Sequence, residues 1–329
     1  MPVGAWEPAQ LGFSMTLLRR LAQRLPWLKA AYRRVIVPRP QVFSIGLYRG
    51  DSPTALKPPL GCSDPIITRD HVDDVPAAFV ADPFALQRDG VWYLWFEVMR
   101  TDSRRGEIGL ATSRDGQRWE YEGIVLAEPF HLSYPHVIAW DGEVFMIPET
   151  GDAGSVRLYR AAPFPSAWEF DSELLAGSRF VDATVFLHGQ RWWMFDGVTL
   201  PPCESESADE CFGVLRLYGS DDLRGPWLEH PMSPVIEMDA RLARPAGRVV
   251  SVAGVPIRFA QDCSGAYGRA VSAFAVEELT ETTYRERSLN DRPVLGPGRH
   301  RWNRDGMHHV DAHETDDGWL AFVDGWTVR

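Results

Sequence analysis

The stretch GVWYLWFE at residues 90–97 decides the fold, because similar stretches recur along the chain. In each copy a glycine, which is typical of a tight turn, precedes an aromatic-rich apolar segment that ends in a carboxylate or an amide. Aromatic and β-branched residues favour strands, so each copy predicts a strand. The copies are residues 90–97, 142–149, 189–196, 254–262 and 318–324. Recurrence at this spacing indicates a repeat fold.

Two further segments accompany these copies. A short one precedes each copy: ADPF (81–84), SYPHV (133–137), VDATV (181–185), ARPAG (243–247) and HVDAH (309–313). Another follows the first four copies: GEIGLATS (106–113), GSVRLYRA (154–161), GVLRLYGS (213–220) and YGRAVSAF (267–274). Trp119, Trp168 and Trp227 lie further on and are consistent with a fourth, outer strand. Repeats of about 50 residues with roughly four strands each are what a β-propeller requires.

The last copy is followed by too few residues for its own third strand. FSIGLYRG at residues 43–50 matches the third segments at 154–161 and 213–220, which predicts that an N-terminal strand completes the last blade. Such closure removes the exposed sheet edges that recruit other chains. We therefore predict an all-β, five-bladed propeller over residues 41–329. A β-sandwich with accidental internal similarity is the alternative.

Residues 1–40 are predicted to form a basic amphipathic helix and a linker. In residues 15–34 (MTLLRRLAQRLPWLKAAYRR) leucines recur at helical spacing among arginines and lysines. One interpretation is a helix that contacts a membrane surface or a partner protein. The other is a helix that packs on the outside of its own domain.

Composition narrows the partners and the compartment. The net charge of −11 argues against a broad phosphate-binding surface, so no nucleic-acid partner is expected. No stretch approaches the roughly 20 apolar residues of a membrane span, and a signal peptide's apolar core is not evident. Four cysteines are too few for a disulfide scaffold, although Cys203 and Cys211 flank an acidic loop and their pairing stays open. We expect a cytoplasmic protein.

The repeat register converts sequence positions into a ring of candidate site residues around the channel. Asp82 and Asp182 lie at strand starts, and Glu149 ends an otherwise apolar strand. Burying a charge in such a strand costs desolvation free energy. We predict these three as catalytic. The predicted substrate-binding residues are Glu97, Tyr134, His136, Arg244, Gln261, Asp262, His309 and Asp311. Carboxylates that lie close together repel one another when ionised, so some of their pKa values rise. Such a group can provide both a general acid and a general base.

Asp196 and Asp324 occupy equivalent strand ends. For both we favour turn capping and hydrogen bonds between blades over a role in the pocket. Asp324 precedes Gly325, which is a common turn context.

The group His308, His309, Asp311 and His313 has the composition of a metal cluster. Alternation along a strand would place His309, Asp311 and His313 on one face and His308 on the other. We therefore favour a pocket histidine that donates a hydrogen bond or carries a proton, and we assign no metal ligands. Whether an ion occupies the channel is left open, as are any cofactors.

Several of these segments together resemble one known family. FVADPF, GEIGLATSRDGQRW, EPFHLSYPHV, IPET, GSVRLYRA, WWMF, RPAGR and RFAQDCSGAYG are similar to the N-terminal propeller domain of glucosamine inositolphosphorylceramide transferases. The resemblance covers about residues 41–327. Bacterial homologues of that domain look alike, some of them fused to formyltransferase-like or glycosyltransferase domains.

More distantly, the pattern is similar to the five-bladed propellers of glycoside hydrolase families 43 and 32. That resemblance matches Asp82 to the acidic residue of the first blade, whereas the usual later-blade glutamate at a strand start has no clear counterpart. It implies an enzyme that acts on a glycan or a sugar-containing small molecule, with acid/base chemistry in the central pocket. The alternatives are a non-catalytic carbohydrate-binding module that serves a separate glycosyl- or acyltransferase, and a propeller recruited as a cyclase or lyase.

Overall fold

The structure is a computed structural model that describes residues 40–61, 64–199 and 212–328. Within these ranges the chain forms 19 strands and three short 3-10 helices, at Arg69–His71, Gly151–Ala153 and Arg301–Asn303. The helix predicted at residues 15–34, Cys203 and Cys211 lie outside the described residues. None of the helices in the described ranges is long and apolar enough to cross a bilayer.

The strands form five antiparallel sheets, which are the blades of a propeller. The N-terminal strand β1 spans Gln41–Gly50. Blade 1 holds β2 (Ala77–Arg88), β3 (Val91–Arg100), β4 (Gly106–Ser113) and β5 (Glu120–Leu126). Blade 2 holds β6 (Ser133–Trp140), β7 (Glu143–Glu149), β8 (Ser155–Ala161) and β9 (Trp168–Ala176). Blade 3 holds β10 (Phe180–His188), β11 (Arg191–Val198), β12 (Val214–Ser220) and β13 (Leu228–Glu229). Blade 4 holds β14 (Val250–Val252), β15 (Val255–Asp262), β16 (Ala270–Leu279) and β17 (Tyr284–Ser288), and blade 5 holds β18 (Val310–Thr315), β19 (Gly318–Val328) and β1.

Both ends of the propeller meet in blade 5, whose strand order is β1-β19-β18. Single bridges from Ile45 to Ile67 and from Arg49 to Lys57 then add backbone along the outer side of β1. The predicted five-bladed propeller, closed by an N-terminal strand, is therefore confirmed. The glycine-led aromatic copies are the second strands of the blades, namely β3, β7, β11, β15 and β19.

Each interface between neighbouring blades contains its own hydrophobic core. Blades 1 and 2 pack through Trp95, Leu110, Val137 and Met146, and blades 2 and 3 through Phe145, Ile147, Val185 and Met194. Blades 3 and 4 pack through Phe195, Leu217, Val276 and Tyr284, blades 4 and 5 through Phe259, Val271, Val310 and Ala321, and blades 5 and 1 through Ile45, Phe322, Leu94 and Phe96. Because each inner strand is covered on both faces, its sequence is nearly continuously apolar.

The first strands of blades 1, 2 and 3 contain a bulge at the same place. The pairing register shifts between Ala81 and Phe84, between Ser133 and His136, and between Val181 and Thr184. The residues inside these shifts, Asp82, Tyr134 and Asp182, adopt φ values of 52°, 46° and 56°, in the left-handed region that side chains rarely enter. A bulge redirects a side chain and ends regular pairing. These three side chains are thus turned out of the alternation of their strands.

Blade 4 enters the ring by a close approach to blade 5. At Gly247 φ is +128°, and a Cβ atom there would lie 1.8 Å from the carbonyl oxygen of Val310. A residue with a side chain fits neither this conformation nor this space. Gly247 thus allows the backbone to turn between Arg244 and Arg248, so that the two side chains reach different groups of the site.

Candidate functional site

Ionisable side chains from all five blades converge at the bulges and at the nearby ends of the second strands. We call this group the acidic cluster: Asp82, Glu97, Glu149, Asp182, Arg244, Gln261, His308 and Asp324. All are buried except Glu149, which is partly buried. Asp82 and Glu97 each keep a side-chain exposure of 7%, Arg244 keeps 10% and Glu149 keeps 11%.

Arg244 connects two of the predicted catalytic carboxylates. Its Nε donates to Asp182 Oδ2 at 2.6 Å, and its Nη2 donates to Glu149 Oε2 at 3.2 Å. Gln261 Nε2 donates to the same Asp182 oxygen at 2.9 Å and to the carbonyl of Pro245 at 2.8 Å. The guanidinium also lies 5.2 Å from the centre of the Tyr267 ring. Asp182 is thus fixed by two donors, and Arg244 joins it to Glu149.

Asp82 is held by its neighbours in blades 2 and 5. The backbone N–H of Asp82 donates to Asp324 Oδ2 at 3.0 Å, and the backbone N–H of Tyr134 donates to Asp82 Oδ2 at 3.3 Å. Asp324 Oδ1 lies 2.7 Å from His308 Nδ1. His308 Nε2 and His309 Nδ1 each lie 3.7 Å from Asp82 Oδ1. These contacts stabilise the left-handed conformation of Asp82.

The cluster separates carboxyls that hold a proton from those that do not. Burial raises the pKa of Asp82 to about 7, although His308 opposes the rise. Burial and the nearby carboxylates raise the pKa of Glu97 and of Glu149 well above their ordinary values. Burial would raise the pKa of Asp324 too, but the adjacent His308 holds it below its usual value. Burial and Asp182 thus favour the protonated form of Glu149, and a pKa of about 7 lets Asp82 exchange a proton near neutral pH.

A second group, the Arg248 cluster, occupies another part of the channel. Arg248 Nε donates to Asp311 Oδ1 at 2.7 Å, and its other nitrogens donate to the carbonyls of Val137 at 3.0 Å and Ala85 at 3.2 Å. Asp311 Oδ2 accepts from the Ala85 N–H at 2.7 Å and lies 2.7 Å from His313 Nε2. One side chain from blade 4 thus joins blades 1, 2 and 5, and its charge lowers the pKa of the buried Asp311.

Aromatic residues lie around the channel beside these polar groups. The ring of Phe84 is 4.8 Å from Tyr134, 5.0 Å from His136 and 4.7 Å from His309, measured between centres. Tyr134 Oη lies 2.7 Å from Thr184 Oγ1 and accepts from the N–H of Gly247 at 2.7 Å. This packing fills the channel beside the acidic cluster.

The predicted site residues thus fall into different surroundings. Asp82, Glu149, Asp182, Arg244 and Gln261 come together, and Glu97 Oε1 joins them with His131 Nε2 at 3.7 Å. Tyr134 and His309 line the neighbouring aromatic part. Asp311 belongs to the Arg248 cluster, and His136 Nδ1 accepts from the Val185 N–H at 3.3 Å. Asp262 accepts from Ser264 at a turn. Their roles toward a substrate stay predictions.

Three of the expectations drawn from local sequence are wrong. Asp324 is not in a turn, because β19 continues to Val328, although its bond to Asp82 is a hydrogen bond between blades as predicted. His308 and His309 were assigned to opposite faces, yet both approach Asp82. The reason is that β18 begins only at Val310, so strand alternation does not extend to either histidine. Asp196 was expected to cap a turn or to form hydrogen bonds between blades. It lies inside β11 instead, fully buried, and neither carboxylate oxygen has a hydrogen-bond partner among the described residues.

One trio could in principle hold a metal ion. Asp82, His308 and Asp324 offer ligand atoms that lie within 4.8 Å of one another. However, Asp324 already accepts from the backbone of Asp82 and is hydrogen-bonded to His308. The trio is therefore arranged as a hydrogen-bonded ion pair beside a third carboxyl group, and we assign no metal to it.

Two further residues of the site, His131 and Arg248, are absent from the predicted set although they lie within the quoted motifs. His131 and Arg248 lie within the segments EPFHLSYPHV and RPAGR. His131 reaches Glu97, and Arg248 reaches Asp311. In RPAGR, Arg248 directly follows Gly247, whose φ of +128° and close approach to Val310 both exclude a side chain.

A closed ring of five blades with ionisable groups converging on its channel defines this protein as a β-propeller with a polar central site. A putative glycosidase from Bacteroides thetaiotaomicron is similar, with a TM-score of 0.58 and 14% identity, covering 84% of this chain and 96% of that chain. A family 43 β-xylosidase/α-arabinofuranosidase from a compost microbial metagenome, in complex with xylotriose, gives 0.54 and 14%, covering 78% and 92%. At such identities the likeness establishes the fold alone.

Residues 40–326 match the family described as glucosamine inositolphosphorylceramide transferase 1, N-terminal, and the chain belongs to this family. The protein of that name from Oryza sativa subsp. japonica is 34% identical over 305 residues, covering 86% of this chain. Its counterpart from Arabidopsis thaliana is 31% identical over 301 residues, covering 86%. The chain spans 40% and 39% of the lengths of these two relatives. The resemblance inferred from the motifs is confirmed.

Proposed function

We propose that the acidic cluster binds the sugar part of a sugar conjugate and acts on it by acid/base catalysis. The observation that carries this proposal is the pair Asp82 and Glu149. Both have raised pKa values, that of Asp82 at about 7, and both retain side-chain exposure beside a fixed arginine. Strongly shifted pKa values cluster at functional sites, and a group whose pKa lies near neutral pH is suited to proton transfer there.

The roles follow from the hydrogen bonds. Glu149, which burial and Asp182 keep protonated, is the general acid. Asp82 is the general base, since its pKa lies near neutral pH. Arg244 and Gln261 present N–H donors around Asp182, and such donors suit sugar hydroxyls and anionic groups.

The substrate class is taken from the relatives. Their names contain glucosamine and inositolphosphorylceramide, and propellers of the same fold include a putative glycosidase and an enzyme solved with xylotriose. We therefore propose a glycan or a sugar-bearing conjugate as the substrate of this chain. Because the chain spans less than half of each plant relative, the whole activity of those proteins is itself part of the proposal.

The test measures the release of nitrophenol by the purified protein from a panel of nitrophenyl glycosides of glucosamine, arabinofuranose and xylose. D-Glucosamine and myo-inositol phosphate serve as binding probes only. We expect turnover of at least one glycoside, and a loss of about 100-fold or more in Asp82→Asn and in Glu149→Gln. Glu169→Gln is the matched control, because Glu169 lies exposed on the outer strand β9. Full activity in both site variants would refute the assignment.

A second candidate is carbohydrate recognition without catalysis. The ion pairs of Arg244 with Asp182 and Glu149 favour it, because carboxylates fixed in this way can serve to orient a ligand. In that case no panel compound is turned over, and a sugar still raises the melting temperature of Asp82→Asn and Glu149→Gln. A ligand that binds only the folded state stabilises it by mass action, so thermal shift separates the two candidates.

A further inference from the structure

Two adjacent histidines approach Asp82 at the same distance but have different partners. His308 Nε2 and His309 Nδ1 each lie 3.7 Å from Asp82 Oδ1, and both imidazoles are buried. His308 Nδ1 lies 2.7 Å from Asp324 Oδ1. Neither ring nitrogen of His309 has a hydrogen-bond partner within the described part of the chain. Distance therefore does not distinguish the two histidines, whereas the carboxylate of Asp324 does.

The presence of Asp324 decides which imidazole carries a charge. An N–H on His308 Nδ1 donates to Asp324, and the carboxylate stabilises the doubly protonated ring, whose second N–H then faces Asp82. Accordingly, Asp324 raises the pKa of His308 against the opposing effect of burial. Burial lowers the pKa of His309 to about 4, so that ring is neutral.

The same carboxylate also organises the backbone around Asp82. Asp324 Oδ2 accepts from the N–H of Asp82, whose φ is 52°, and Asp324 Oδ1 accepts from the N–H of His308 at 3.3 Å. The ring of His308 is enclosed by Phe43 and Tyr267, with centres 4.6 Å and 5.5 Å away. The imidazole is therefore fixed in orientation as well as in charge.

We propose that His308, charged through Asp324, is the positioning residue that presents a single positive charge to Asp82 and keeps it available as the proton acceptor of the pocket. The proposal rests on the role given to Asp82 in the proposed function. Glu97 has no such imidazolium beside it, since His131, which approaches it, has a pKa lowered by burial, and the positive partner of Glu149 is the guanidinium of Arg244. The carboxyl group of Asp82 therefore differs from those of Glu97 and Glu149 in facing the imidazolium of His308.

The other charges around these groups act in known directions. Asp82 also faces Asp324, Asp182 and Glu97, which oppose its ionisation, and Arg244, which favours it. His308 faces Asp324, Asp82 and Asp182, all of which favour its protonated form, and the neighbouring His309. Among the charged neighbours of Asp82, His308 exerts the largest effect.

The test is a titration of Asp82 in the 329-residue chain. Carboxyl-labelled aspartate is followed by carbon NMR, and the Asp82 signal is assigned by its loss in Asp82→Asn. In His308→Gln the titration midpoint of Asp82 is expected to rise by about 1–3 pH units, because an opposite charge at this distance has that effect. His309→Gln is the matched control, since it removes an imidazole at the same distance, and we expect the wild-type midpoint there. Equal midpoints in the two variants would overturn the proposal.

A second measurement needs no variant, in case His308→Gln does not fold. Nitrogen NMR of the imidazoles in the wild-type protein at neutral pH is expected to find His308 doubly protonated and His309 neutral. A neutral His308 would refute the proposal. Neither of these two NMR measurements requires a substrate. A missing turnover would therefore count against the proposed function alone, and an unchanged Asp82 midpoint would count against His308 alone.

Discussion

Arg244→Met removes the guanidinium that lies between Asp182 and Glu149. The donors at 2.6 Å and 3.2 Å are lost, and two carboxyl groups with side-chain exposures of 2% and 11% remain without that counter-charge. Breaking a buried pair by deleting one partner costs about 3–5 kcal/mol, because the remaining charge, here that of the Asp182 carboxylate, stays desolvated. We expect a loss of this size in the free energy of unfolding at neutral pH.

The loss should depend on pH in a defined direction. Burial and Asp182 already raise the pKa of Glu149 above its unfolded value, and Arg244 opposes that rise. Without Arg244 the folded-state pKa of Glu149 rises further. The unfolded chain then binds fewer protons than the folded one, so stability falls as the pH rises. The deficit of the variant should therefore be smaller at about pH 5 than at about pH 8.

Urea denaturation followed by tryptophan fluorescence measures both effects, since the chain has 13 tryptophans. The control is Arg241→Met. The side chain of Arg241 is 64% exposed, and its guanidinium lies 2.7 Å from Asp239. An exposed pair contributes less than about 1 kcal/mol. An Arg244→Met deficit no larger than that of Arg241→Met, or one that does not change with pH, would refute the reasoning.

Three further predictions concern the stability of the ring. Arg248→Met leaves the buried Asp311 without its guanidinium partner, so we expect the free energy of unfolding to fall by about 3–5 kcal/mol at neutral pH. The loss should shrink as acid protonates Asp311, and urea midpoints measured across pH check this. Asp196→Leu removes a buried carboxyl whose pKa burial raises, so we expect a gain of about 1–3 kcal/mol that grows with pH, whereas a loss would indicate an unseen partner. Gly247→Ala should lose at least about 3 kcal/mol, measured by thermal unfolding, because its Cβ would meet the Val310 carbonyl; wild-type stability would contradict the described approach of blade 4 to blade 5.

The repeat pattern predicted the blades because burial on both faces leaves a direct trace in composition. A strand covered by two neighbouring blades is apolar along its length, and the tight turn before it favours glycine. Gly90 and Gly142 mark such turns before β3 and β7. The match of residues 43–50 to other third strands also predicted the closure. These features are local, and a single sequence records them.

The failures concern features that arise from distant parts of the chain. Asp324 before Gly325 has the local signature of a turn, but β19 continues because β1 provides a partner for it. His308 and His309 precede the first paired residue of β18, so the alternation that we applied does not hold there. Where a strand starts depends on its neighbour, and the residues themselves do not specify it.

The bulges show the same limit within the site. Asp82 and Tyr134 adopt left-handed conformations without being glycine, and no local signal predicts this for a tyrosine. The backbone N–H groups of both residues donate to carboxylates of other blades, which holds both conformations. The repeat register therefore predicted which side chains converge, whereas their pairing with Arg244 and His308 required the structure.

The shared last blade has a consequence for how the protein is made. Residues 51–317 separate β1 from β19, its partner strand. At about 5–20 residues per second, a ribosome needs roughly 15–50 s to synthesise that interval. Throughout this time β1 has emerged while its hydrogen-bonding groups lack their native partner, and such groups attract other nascent chains. Translation that pauses before β19 should therefore favour aggregation, and the cell's chaperones would have to shield the first strand until the last one arrives.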